Sequence, residues 1–305
     1  FARKEDSVAK NEYKKTTNLL NDVEMPRSSG YTTALRNVGA IRNAGVELQL
    51  DTRIIDKAVK WDFGVNLSVN RSKVLSLSDG KDIFGSTVSN TIISDQLNLM
   101  RIGEPMYVFY GYVEEGYDDN GQLVYKDLDG SADKTIIGNP NPDCLLNFNT
   151  AVSYKGFTLS AFFQGSIGND IYSLSMASAA YDYSSNANTL REVLYNHWTP
   201  EKPHAKYPNL RQDIALKMSD RFVYDGSYMR LKNLELSYNI PCSKSRVISK
   251  ARVYVSAQNL WTITSYPFWD PDVNAKGGST SLAQGIDASC YPGARTFTLG
   301  CRLVF

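Results

Sequence analysis

The groups in this chain best able to do chemistry are acids and aromatic rings in stretches that lack strand-like alternation. Asp127, Asp129 and Asp133 set hard oxygen ligands at alternate positions of one polar run, the donor pattern of a calcium loop. The run lacks the later Glu that completes an EF-hand, so a polar β-turn is the favoured reading and Ca2+ the alternative. Asp270 and Asp272 flank Pro271, where turn formation or capping outweighs ligation. His197 and His204 are the only histidines, and their spacing fits no zinc-protease or helical metal motif. Cys144, Cys242, Cys290 and Cys301 form no CxxC pair and read as unpaired fillers. No GxSxG elbow, Walker loop or GxGxxG occurs, so serine hydrolysis and nucleotide binding have no starting point. Carboxylate pairs can always be picked from 32 acids, so a glycosidase has no support either. The expectation is a protein without catalytic residues or cofactor. Tyr110, Tyr112, Tyr117, Trp198, Tyr207, Phe268 and Trp269 are a different matter, because flat rings stack on sugar faces and equally well anchor a protein lid. Contact with substrate or lid is expected of Tyr110, Tyr112, Trp198, Phe268 and Trp269.

The elements that would carry these groups are strands. Nineteen Tyr, twelve Phe and four Trp in 305 residues, many followed two positions later by another apolar residue, favour an all-β chain. A net charge of +1 denies it the footprint of a nucleic-acid binder. No apolar run reaches the roughly 20 residues of a membrane helix, and the densest, 106–113, is short and aromatic. The first residues have no apolar core resembling a signal peptide, as expected if a signal was removed or if this is the later part of a longer chain.

Period-two alternation marks the strands. Val46, Leu48 and Leu50 alternate with Glu47, Gln49 and Asp51, and Val59, Trp61, Phe63, Val65, Leu67 and Val69 alternate with polar or small residues. A second hairpin, 146–163, turns at Lys155 and Gly156 with Tyr154 and Phe157 beside the turn, as in an interfacial aromatic girdle. A third pair spans about 228–240 and 251–262, with a phase change that predicts a bulge near Lys232 and Asn233. The closing strand places Phe297, Leu299, Cys301, Leu303 and Phe305 on one side. We read Phe297, Leu299, Leu303 and Phe305 as the barrel-assembly signal of an outer-membrane β-barrel. A weaker strand is expected at about 11–20, giving roughly eight in all. Short links at 56–58, 155–156 and 241–250 alternate with long ones at about 21–42, 71–143, 166–226 and 263–292. Such segregation belongs to transmembrane barrels, with the short-turn rim periplasmic and the long loops extracellular. Asn66, Ser68, Asn147, Asn149 and Ser160 would pack a narrow interior poorly, so a wide, wet lumen with more strands than this chain supplies fits better.

Ordered blocks sharpen this reading. Asn43-Ala-Gly-Val-Glu-Leu48, Gly103-Glu-Pro105, Phe109-Tyr-Gly-Tyr112, Ile137-Gly-Asn-Pro-Asn-Pro-Asp143, Ser227-Tyr-Met-Arg-Leu-Lys-Asn233, Val253-Tyr-Val-Ser-Ala-Gln-Asn-Leu-Trp261, Asp270-Pro-Asp272 and Tyr291-Pro-Gly-Ala-Arg-Thr-Phe-Thr-Leu299 succeed one another along the chain. In order and spacing they resemble SusC-like (RagA-like) TonB-linked outer-membrane proteins. The resemblance implies that residues 1–305 are the C-terminal part of a TonB-dependent transporter barrel of about 22 strands with a plugged lumen, in the outer membrane of a Gram-negative cell. It places the plug, the TonB box and the earlier strands outside this span. It further implies active import of an oligosaccharide or oligopeptide, a SusD-like surface lipoprotein as lid, and TonB acting through the plug. The competing readings are a small self-contained outer-membrane barrel serving as adhesin or anchor, and a secreted carbohydrate-binding or hydrolytic β-protein.

Overall fold

The computed structural model describes residues 5–24, 33–77, 80–127, 133–182, 188–210, 216–242, 247–274 and 284–305. Eight long strands dominate them: β1 (Glu5–Glu24), β2 (Thr33–Asp56), β3 (Val59–Leu77), β4 (Cys144–Tyr154), β5 (Phe157–Ile167), β6 (Tyr228–Ile240), β7 (Lys250–Thr264) and β8 (Thr296–Val304). They form one sheet in which every strand lies antiparallel to its neighbour in sequence. β1 and β8 are its edges, and among the described residues they do not pair with each other.

Register converts the alternation of each strand into two chemically distinct faces. One row across the sheet reads Trp61, Val152, Leu159, Leu236, Val255 and Leu299; another reads Leu50, Val65, Phe148, Phe163, Leu231 and Trp261. The rows between them, on the opposite face, read Asp62, Ala151, Ser160, Glu235, Ser256, Thr298 and Gly64, Asn149, Phe162, Asn233, Gln258, Thr296. The apolar face has no protein layer over it: Leu299 is 81% exposed and Phe297 70%. Rings mark both ends of this face. Phe148 stacks on Phe163 at 4.3 Å toward the long loops, and Phe157 lies 4.4 Å from Tyr238 beside the short turns.

Local chemistry sets the turns. Lys155 and Gly156 have φ of 47° and 89°, both left-handed, as the two-residue turn that matches strand twist demands. The Lys155 ammonium lies 5.2 Å from the Tyr154 ring centroid. The expected bulge is present: the register of β6 slips between Leu231 and Asn233 against β7, and Asn259 on β7 takes φ of 50° at the same level.

The first two strands differ from expectation. Pairing extends β1 over 5–24 and starts β2 at Thr33, so the link expected at 21–42 contracts to 25–32, and β3 runs on to Leu77. Residues 33–42 show no clean alternation, but ladder hydrogen bonds are indifferent to side-chain period. Gly39 pairs with both Leu19 and Leu77, where a Cβ would lie 1.9 Å from the Ser76 carbonyl oxygen. The three remaining long connections stay long.

The larger buried core lies outside the sheet, while a smaller one joins Ile41, Val74 and Leu77 of β2 and β3 to Met100. Loops 78–143, 168–227 and 265–295 pack on one another through Leu97, Phe109, Tyr172, Met218, Phe222 and Ile286, and helix α1 (Leu174–Tyr181) adds Leu174, Ala177 and Ala180. Phe109, Tyr172, Phe222 and Tyr181 form a chain of edge-on ring contacts at 5.5–6.1 Å. Full burial stabilises each such side chain by about 1.5–3 kcal/mol, which fixes these loops as a body.

If the apolar face meets lipid, Leu236→Arg should cost about 2 kcal/mol in denaturant titration of the receptor refolded into vesicles. Ser160→Arg, on the polar face, should cost less than about half of that. Equal costs would mean that the two faces share one solvent.

Candidate functional site

Two surfaces can meet a solute: the polar face of the sheet and the loop body above it. On the polar face, Arg53 grips Asp62 through two parallel bonds, Nε to Oδ1 at 2.6 Å and Nη2 to Oδ2 at 3.2 Å. Beside them Gly64 has no side chain, and a Cβ there would fall 2.1 Å from the Asn149 amide oxygen and 2.4 Å from the Asp51 carboxylate. The result is a hydrophilic recess of about 480 Å³ in the wall, bordered by Asp51, Arg53, Asp62, Asn149, Ser160 and Asn233.

Arg230 fastens the wall to the loops. It lies in a polar row of β6, only 3% exposed, with its Nε donating to Thr262 Oγ1 at 3.0 Å, its guanidinium 5.2 Å from the Tyr228 ring centroid and an Nη2 bond to Asp270 Oδ1. Asp270 Oδ2 in turn accepts from the Gly293 amide at 3.2 Å. One buried ion pair therefore pins loop 265–295 at two points.

A second clasp lies inside the loop body. Arg221 spends all its donors, on both Glu114 oxygens, on the Tyr181 and Tyr117 hydroxyls at 2.9 Å each, and on the Lys206 carbonyl at 2.6 Å. Burial leaves the Tyr181 phenol far above its ordinary range, although the Arg221 guanidinium pulls the other way. A third knot joins α1 to 284–290: buried Asp287 accepts from the Tyr266 hydroxyl at 2.5 Å, the Ser175 hydroxyl at 2.8 Å and the Cys290 amide at 3.2 Å. Tyr266 is held protonated by burial and then by that carboxylate.

The aromatic residues singled out by sequence fall in different settings. Trp198 is buried and covers Gly121, where a Cβ would lie 2.5 Å from the indole. Tyr110 packs on Phe84 and Arg101, and Tyr112 packs on Tyr125 under Lys217. Phe268 and Trp269 stack on each other at 5.0 Å, and Trp269 is 60% exposed. Tyr117 bonds the Lys206 carbonyl at 3.0 Å, and Tyr207 is buried against Tyr181. Phe297, Leu299, Leu303 and Phe305 are exposed on the apolar face or at its end. Asp127 and Asp133 lie on either side of 128–132; Asp129 lies outside the described residues. Among the described residues no group of three His, Cys, Asp or Glu side chains is placed to hold a metal ion. His197 Nδ1 lies 2.9 Å from the Leu194 carbonyl oxygen at the end of a short helix, and all four cysteines are free. Arg230, Arg221 and Asp287 escaped the sequence reading. Only Arg230 left a signal, as a charge within the Ser227–Asn233 block at the start of a strand.

Comparison with known proteins agrees with this architecture. The chain superposes on the structure of the RagAB peptide transporter with a TM-score of 0.80 at 24% identity, over 98% of its own length and 33% of that chain. It is 34% identical to TonB-dependent receptor P3 of Formosa agariphila over 95% of its length, and 28% identical to TonB-dependent receptor SusC of Bacteroides thetaiotaomicron over 96%. It spans about a third of these relatives, 31% and 29% of their lengths. No protein-family model matches it. Fold and faces together define a wall segment of an outer-membrane β-barrel receptor. Along nearly its whole length the chain aligns with TonB-dependent receptors, SusC among them. These relatives are receptors, not enzymes.

Two measurements test the loop body. Arg221→Ala strands Glu114 in a site where each partner is at most 15% exposed, and should lower local stability by about 3–5 kcal/mol. Hydrogen exchange should then accelerate around 109–112 and 172–181 and stay unchanged in β3–β5. Tyr125, whose phenol burial pushes up to about 12, should ionise late. Because its folded value is raised, the stability it contributes is whole below pH 10 and is lost as pH climbs toward 12. Absorbance titration should show a late tyrosine step near pH 12 that Tyr125→Phe reduces by one tyrosine.

Proposed function

We propose that this chain forms the C-terminal part of a barrel that imports a nutrient oligomer, an oligosaccharide or oligopeptide, across the outer membrane by TonB-dependent active transport. Row-by-row separation of an uncovered apolar face from a polar face, in a sheet whose two edges are unpaired, carries the reading. Edges of β1 and β8 left open in hydrocarbon would cost several kcal/mol per unsatisfied group, so further strands of the same receptor complete the wall. A small self-contained barrel would instead join first strand to last. The reading includes a plug in the lumen coupled to TonB and a SusD-like lipoprotein lid over the loop body, as the likeness to TonB-dependent receptors suggests. Phe268 and Trp269 supply the open rings for cargo or lid contact, and Tyr110, Tyr112 and Trp198 shape that surface from within. RagAB, which shares the fold, is a peptide transporter, and this keeps peptides among the cargoes to be tried.

The test is uptake of labelled oligosaccharide and oligopeptide pools by cells with and without this receptor's gene, and with TonB inactivated. Loss of either gene should abolish accumulation of the same pool, and tagged receptor should co-purify with a surface lipoprotein. Accumulation that survives both losses defeats the proposal.

A further inference from the structure

Between loop 265–295 and the upper ends of β6 and β7 lies a cavity of about 490 Å³ that the wall and the loop clasps leave open. Its faces are the indole of Trp269 and the phenol ring of Tyr291, 60% and 89% exposed. Its polar groups differ sharply in how far they are spent. Arg230 is consumed by Asp270, with Asp272 at 3.8 Å, and Thr262 by Arg230. Asn259, by contrast, donates its Nδ2 to the Ala294 carbonyl at 3.0 Å, which fixes the amide plane, while its buried Oδ1 has no hydrogen-bond partner. Arg295 is exposed at the rim and forms no ion pair among the described residues.

We propose that this cavity is a cargo subsite for a carboxylated sugar unit, an inference that rests on the transport reading and specifies its cargo. The C–H face of a pyranose stacks on Trp269 or Tyr291, and the sugar carboxylate accepts from the Arg295 guanidinium. The competing occupant is an extended peptide, which would add a strand to the edge of β7 beyond Gln258, where β8 no longer pairs; the peptide arm of the test decides between the two.

The experiment uses the full-length receptor purified with its native partners, titrated with tetragalacturonate, neutral maltotetraose and tetra-alanine and followed by tryptophan fluorescence and calorimetry. Tetragalacturonate should bind in preference to both others. Trp269→Ala should weaken it about tenfold, and Arg295→Gln should weaken it about tenfold while leaving the weaker binding of maltotetraose unchanged. Preference for the peptide, no saccharide binding, or binding indifferent to these substitutions overturns the subsite. The transport reading fails separately: tetragalacturonate bound through Trp269 in a receptor whose loss leaves cellular uptake intact keeps the subsite and sinks import.

Discussion

Backbone hydrogen bonding in a solvent that offers none is the constraint from which the rest of this molecule follows. Within hydrocarbon every amide and carbonyl of the wall must find its partner on a neighbouring strand. The eight strands meet this by sequential antiparallel pairing, which needs no crossover and, among the described residues, leaves the outer edges of β1 and β8 open. Because ladder bonds ignore side-chain identity, they also hold residues 33–42 in a strand whose composition gives little hint of it. Side chains then decide which solvent each face meets, and the rows through Leu236 and through Glu235, one residue apart, meet opposite ones.

The wall and the loop body obey different rules. In the wall, stability comes from backbone pairing and from a surrounding medium as apolar as the side chains it touches. In the loop body, burial away from water holds Phe109, Tyr172 and Phe222 together, and ionic clasps tie their flanks. Arg230 is where the two meet. A charge in the wall would be misplaced were it not on the lumen side and neutralised by Asp270, and that neutralisation brings the last long loop down onto the sheet.

Sequence revealed most of the wall because its signal is local. Alternation from Val59 to Val69 and across 146–163 can be read residue by residue, and the phase change at Lys232 was visible as two leucines of opposite parity. What escaped depends on partners distant in sequence. Nothing near Arg221 announces Glu114, which lies 107 residues away, and nothing near Asp287 announces Tyr266 and Ser175 as its donors. The aromatic residues of the loops were recognisable as a class but not in their fates. Trp198 and Trp269 look alike in sequence, yet one is sealed over Gly121 and the other stands open.

The Lys155–Gly156 turn carries a consequence for how such a wall is made. It joins β4 and β5 with eleven consecutive register pairs closed by a connection that has almost no loop entropy to overcome. Contacts so close in sequence form early, on the microsecond scale of isolated hairpins, whereas the docking of β3 on β4 must first gather the long excursion between them. The hairpin is thus a natural seed for assembly. The order in which the barrel zips up would be dictated by loop length more than by the strength of any strand.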